Sequence, residues 1–182
     1  MMDALVTPTP EDIRMSEAFE SLMWALARPG TRQRLAEPGL LPLAASLLDR
    51  ETTVHAGDGT MAAALAATGA RAAPLETAEF VFTSLAGEAD AARAATASVG
   101  DPLYPDRAAT VFAPATFGGG GTALRLGGPG IRGTVRLPVG GVHPSFWAAR
   151  ARAIRYPLGF DLYLVAEDEV VGLPRSTRIE VI

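Results

Sequence analysis

Residues 160–166 read Phe-Asp-Leu-Tyr-Leu-Val-Ala, and this run constrains the fold more than any other stretch of the chain. Only Asp161 interrupts its apolar character. A strand without polar alternation is buried on both faces, so the run is read as a central strand covered from either side. Helices and strands alternate along the rest of the chain. The reading is therefore a single α/β domain, residues 1–182, with a mixed central β-sheet flanked by helices.

The clearest helix spans residues 11–27. Thr9 is placed to cap it, Pro10 suits the first helical position, and Asp12 stands where a capping-box acid belongs. Phe19, Leu22, Met23 and Leu26 recur at helical spacing and define the expected apolar face. Arg28-Pro29-Gly30 ends it, because proline forces its predecessor out of the helical region and glycine permits a sharp turn. Further helices are expected at 40–48, 60–68 (Asp58 as cap, Gly69 as stop), 89–98 and 146–155. Strands are expected at 31–35, 52–56, 79–83, 109–113, 122–126, 134–137, 160–166, 170–171 and 179–182. Residues 118–121, four consecutive glycines, read as a low-complexity linker.

Composition excludes several chemistries. The chain has no cysteine, which removes disulfides, thiolate catalysis and sulfur-ligated zinc. It has no lysine either, so all 16 basic residues are arginine. A Schiff-base lysine and a Walker A loop are both impossible. Net charge is −4 without a basic stripe, which argues against nucleic-acid binding. No stretch approaches the ~20 apolar residues of a membrane span. The amino terminus lacks the pattern of a signal peptide, so a cytoplasmic protein is expected.

Gly128-Pro129-Gly130-Ile131-Arg132-Gly133 matches G-x-G-x-x-G by letters. The dinucleotide mechanism needs a helix to begin there, whereas Thr134–Leu137 alternates like a strand, so a turn between strands is expected. Asp49, Glu51, His55 and Asp58 are the one local group with metal-ligand character. They are read as structural, with His55 satisfied within a strand and Asp58 as a helix cap, and no metal is assigned. His143 is read the same way. No G-x-S-x-G elbow is present. The anion-binding candidates are Arg28, Arg132, Arg175, Ser176, Thr177 and Arg178, which sit at turns where guanidinium forks and backbone N–H groups suit phosphate or carboxylate oxygens. Asp161, opening a buried strand, is expected to pair with one of these arginines.

Five stretches carry a resemblance: 19–30 (Phe-x-x-Leu-Met-x-Ala-x-Ala-Arg-Pro-Gly), 47–52 (Leu-Leu-Asp-Arg-Glu-Thr), 126–131 (Leu-Gly-Gly-Pro-Gly-Ile), 156–161 (Tyr-Pro-Leu-Gly-Phe-Asp) and 173–177 (Leu-Pro-Arg-Ser-Thr). In this order and spacing the chain resembles the PhnH family, the H subunit of the bacterial carbon–phosphorus lyase system of phosphonate catabolism. The resemblance implies a fold similar to the large domain of pyridoxal-phosphate-dependent transferases, without that or any other cofactor. It implies a homodimer when the chain is isolated, and G, I and J subunits as partners in a core complex. With G and I, such a subunit supports α-D-ribose 1-methylphosphonate 5-triphosphate synthase, which displaces adenine from ATP with methylphosphonate. The I subunit would carry the chemistry, so this chain is expected to assist a transferase complex and to be inactive alone, with no catalytic residue. Ser176 stands where threonine is common in the family, and Phe160 where a smaller aliphatic is common. A stand-alone phosphate-ester or phosphonate binding protein is the alternative.

Overall fold

The computed structural model describes residues 7–182. The signal-peptide reading of the amino terminus falls largely on residues 1–6, outside the described residues. Helix α1 (Pro10–Ala27) begins with the expected capping box: the Thr9 hydroxyl accepts from the Asp12 amide, and the Asp12 carboxylate accepts from the Thr9 amide at 2.8 Å. Among the described residues four further α-helices follow, α2 (Leu40–Leu47), α3 (Gly59–Ala66), α4 (Glu88–Ala94) and α5 (Ser145–Ala153), with a short 3-10 turn at Pro105–Arg107.

The strands are β1 (Gln33–Arg34), β2 (Thr53–Ala56), β3 (Arg71–Ala72), β4 (Phe80–Phe82), β5 (Thr110–Pro114), β6 (Thr116–Gly127), β7 (Val135–Gly140), β8 (Asp161–Ala166), β9 (Glu169–Leu173) and β10 (Arg178–Val181). Seven form one mixed sheet in the order β1-β9-β8-β5-β4-β2-β3. From β8 to β3 the strands are parallel, and β9 and β1 add antiparallel pairings at the other side. The remaining three form a small antiparallel sheet, β10-β6-β7, which the expectation of one central sheet did not include.

Each face of the main sheet carries its own core. On one face Phe82, Phe112 and Tyr163 stack across neighbouring strands, with ring centroids 4.7 and 4.8 Å apart. Helices α1, α2 and α3 cover this column through Leu22, Leu43 and Leu65. On the other face Val81, Val111, Leu162 and Leu164 lie under α4, α5 and the small sheet. Strand β8 is thus interior and covered on both sides, as its uninterrupted apolar run requires.

Helix α1 corrects one expectation. Its buried face is Ala18, Leu22 and Ala25, while Phe19 and Met23 are about half exposed, at 46% and 54%. The cause is a close backbone approach. A Cβ on Gly172 of β9 would stand only 2.6 Å from the Ala25 carbonyl carbon. At that distance only a small side chain fits at the point of contact, which Ala25 supplies, with Ala18 and Leu22 on the same buried face. The Tyr163 hydroxyl completes the contact by donating to the Leu22 carbonyl at 3.0 Å.

The four-glycine run is also corrected. It lies inside β6 and forms an irregularity where register against β7 shifts between Phe117 and Thr122. Gly121 packs directly on the Val139 backbone, so the absence of a side chain there permits strand approach rather than flexibility. Strand β3 was not anticipated, being two residues long. Helix α4 stops at Ala94, short of the expected Ser98. Among the described residues no helix is long and apolar enough to cross a membrane.

Candidate anion cleft

Four of the motif stretches, distant in sequence, meet along one seam. Gly30 abuts Leu126, to whose Cδ1 an added Cβ would come within 2.6 Å. Gly130, at φ +77°, lies against the Ala27 carbonyl and would meet the Pro29 ring at 2.8 Å. Gly128, at φ +135°, faces Ser176, whose carbonyl oxygen an added Cβ would approach to 2.9 Å. Gly159 fits between Ile154 and Arg175, where an added Cβ would come within 2.9 and 3.1 Å of their nearest side-chain atoms. These glycines serve close packing between loops. The Gly128–Gly133 segment joins β6 to β7, so the turn-between-strands reading of the G-x-G-x-x-G letters agrees with the structure.

The turn after β9 is fastened from two sides. The Thr177 amide donates to the Pro174 carbonyl at 2.9 Å, closing the turn. Asp161, the first residue of β8, accepts from the Arg175 backbone amide at 2.7 Å and from its guanidinium at 3.3 and 2.8 Å. Arg175 also donates to the Pro105 carbonyl at 2.6 Å. Asp161 thus has the arginine partner its burial demanded, and the charge of Arg175 is neutralised within the fold. From the opposite side Arg150 of α5 donates through one Nη to the carbonyls of Leu173 and Pro174, at 3.0 and 3.1 Å.

Beside this turn lies a cleft of about 550 Å³, lined by α5, the 175–178 segment, Pro129 and Tyr156. Arg150 is 3% exposed, and among the described residues it has no carboxylate within salt-bridge distance. Burial pushes its pKa down to about 10, against a smaller opposing effect of nearby Asp161, so it remains a cation at neutral pH. Among the described residues, three buried side-chain polar atoms lack any hydrogen-bond partner: Trp147 Nε1, Arg150 Nε and Thr177 Oγ1. All three belong to residues that line this cleft. Each such orphan costs about 1–3 kcal/mol of desolvation. Among the described residues, the cleft lining contains no carboxylate. A concentration of unpaired donors and uncompensated positive charge is complementary to an oxyanion.

The expected anion residues divide accordingly. Arg175, Ser176, Thr177 and Arg178 line the cleft together. Arg28 is elsewhere, stacked 4.4 Å over the Trp24 ring. Arg132 lies exposed in the β6–β7 turn and is not among the cleft-lining residues. Arg150 and Trp147 escaped the sequence reading. The available signal was the helical spacing of Phe146, Trp147 and Arg150, which puts an arginine on the buried stripe of α5. The residues with metal-ligand character have local partners: His55 Nδ1 contacts the Ala73 carbonyl at 3.2 Å, Asp58 caps α3 through the Met61 amide, and Asp49 accepts from the Glu51 and Thr52 amides. His143 Nδ1 lies 2.8 Å from the Ser145 hydroxyl.

Fold and site together define a three-layered α/β protein, its mixed sheet covered on both faces, with a donor-lined cleft at the amino-terminal end of its parallel strands. The model of a bacterial phosphonate metabolism family, PhnH, matches residues 11–180, and the chain belongs to that family. It is 36% identical over 174 residues to the C-P lyase subunit protein HtxG of Stutzerimonas stutzeri, covering 91% of this chain and 86% of that protein. It is 42% identical over 86 residues to the α-D-ribose 1-methylphosphonate 5-triphosphate synthase subunit PhnH of Rhizobium meliloti (strain 1021), covering 46% of this chain and 42% of that protein.

Proposed function

We propose that this chain is the H-type subunit of a carbon–phosphorus lyase system. It would act in the cytoplasm as a homodimer when isolated, and with G, I and J subunits in a core complex. With G and I it would support the transfer that releases adenine from ATP in favour of methylphosphonate, contributing structure rather than a catalytic side chain. The observation that carries this reading is the family match across residues 11–180. A fold kinship with the large domain of pyridoxal-phosphate-dependent transferases is part of the proposal. The cofactor itself is not, since a chain without lysine cannot form its Schiff base.

The test is native mass of the chain alone and co-expressed with the G, I and J subunits of its own operon. Adenine release from ATP and methylphosphonate is then measured with the chain present and omitted. A stable complex, and a rate that needs the chain, are expected. Failure to associate under mild conditions would remove the subunit reading. The second reading is a stand-alone phosphate-ester or phosphonate binding protein. The specific observation favouring it is the cleft, where Arg175, Ser176, Thr177 and Arg178 converge. It predicts ligand binding by the isolated chain and no effect of its omission on the synthase.

A further inference from the structure

We propose that Arg150, Trp147 and Thr177 form the binding determinants of the cleft, and that its ligand is a phosphonate or phosphate-monoester dianion carrying an apolar body. This rests on the anion reading of the cleft and is independent of membership in the lyase complex.

Charge sets the ligand class. Among the described residues, three arginines and no carboxylate line the cleft, and one of the three, Arg175, is already neutralised by Asp161 at 2.8 Å. Arg150 and Arg178 remain, and among the described residues neither forms an ion pair, while the described acids Glu169 and Glu180 pair with Arg32 and Arg125 instead. Two uncompensated cations match a tetrahedral dianion better than a carboxylate monoanion, because each phosphate-type oxygen accepts charge-assisted bonds.

Shape sets the ligand body. Pro129, Ala151, Ile154 and Ile179 give the cleft apolar walls, and its volume of about 550 Å³ falls within the range of small-molecule sites. Inorganic phosphate would leave those walls wet. An aryl or alkyl substituent would cover them and release their water.

The orphaned atoms set the determinants. Trp147, Arg150 and Thr177 are 4%, 3% and 5% exposed, yet each keeps one polar atom without a partner. Arg150 approaches from α5, and Thr177 from the turn that Arg150 itself holds through the Leu173 and Pro174 carbonyls. The three atoms are buried from solvent in the free protein, so in this proposal the side chains rotate slightly on binding to present each donor to the oxyanion. The free protein therefore carries an unfavourable arrangement that ligand relieves, as pre-organised binding sites do.

The experiment uses the full chain with Trp24→Phe, which leaves Trp147 as the remaining tryptophan of two. Trp24 stacks under Arg28, away from the cleft lining. Emission and calorimetric heat are followed on titration with phenylphosphonate, inorganic phosphate and phenylacetate. The expected result is saturable binding of phenylphosphonate, with the other two weaker by about tenfold or more, the factor that corresponds to about 1.4 kcal/mol. Thr177→Val removes the hydroxyl and keeps the shape. It is expected to weaken phenylphosphonate about tenfold while leaving the free protein as stable as before or more so, because an orphaned hydroxyl has been removed. Arg178→Gln, at an exposed position, is expected to weaken it by a similar factor. Absence of saturable binding of all three probes overturns the anion reading of the cleft. Equal affinity for phosphate and phenylphosphonate overturns only the apolar-body assignment, and equal affinity for phenylacetate overturns the dianion assignment. Binding indifferent to both Thr177→Val and Arg178→Gln overturns the location.

Discussion

Replacing Gly172 with alanine tests how α1 is seated on the sheet. The added Cβ would lie 2.6, 2.7 and 2.8 Å from the Ala25 carbonyl carbon, the Ala25 oxygen and the Leu26 amide nitrogen. Ordinary contacts between such atoms are about 3.5–4.0 Å, so the helix must withdraw by roughly 1 Å. All three neighbours are backbone, and none can rotate away. Withdrawal loosens Leu22 and Ala25, which are 2% and 0% exposed, and stretches the 3.0 Å bond from Tyr163 to the Leu22 carbonyl past useful length. Overpacking costs about 1–3 kcal/mol and the lost hydrogen bond about 1 kcal/mol, giving a destabilisation of about 2–4 kcal/mol. For a domain of this size each kcal/mol lowers Tm by about 2–4 °C. Urea unfolding of Gly172→Ala, Tyr163→Phe and the double variant measures both the cost and the coupling. Because the glycine substitution already breaks the tyrosine's bond, Tyr163→Phe should cost less in that background than in the wild type. A Gly172→Ala cost within about 0.5 kcal/mol of zero, or strict additivity of the pair, would refute this account.

Other consequences can be checked in the same way. Asp161→Ala leaves the Arg175 guanidinium without its acceptor at a site where both side chains are 18% exposed, and should cost about 3 kcal/mol by denaturant titration. In the β6 glycine run, Gly119→Ala meets no atom within 4 Å and should be neutral to mildly stabilising, by up to about 1 kcal/mol, whereas Gly121→Ala collides with the Val139 backbone and should lower the unfolding midpoint clearly. The Asp12 carboxyl is held below its ordinary pKa by the Thr9 amide and then by the Thr9 hydroxyl. A depressed acid stabilises above its unfolded pKa and loses that contribution as pH falls through its folded one, so the start of α1 should loosen in acid below about pH 4. An NMR titration should show Asp12 ionising at lower pH than in Thr9→Ala.

Local rules fixed much of this molecule before any folding partner was considered. The Thr9–Asp12 capping box, the Arg28-Pro29-Gly30 stop and the Asp58 cap are interactions over three or four residues, and residue type alone specifies them. The apolar run of β8 required cover on both faces, and that requirement set the layered α/β architecture. The convergence of the 173–177 and 156–161 motifs on Asp161 followed from the cost of a lone buried carboxylate, although its partner could not be chosen among the arginines. Tertiary structure decided the rest. Which face of α1 is buried depends on Gly172, nearly 150 residues away in sequence. The glycine run reads as a linker by composition, yet pairing with β7 draws it into a strand. Arg150 looks like a solvated helix residue until α5 lies over the 173–178 turn. There the uncompensated charge and the orphaned donors come into being, because burial and partnership belong to the assembled core and to no local stretch of chain.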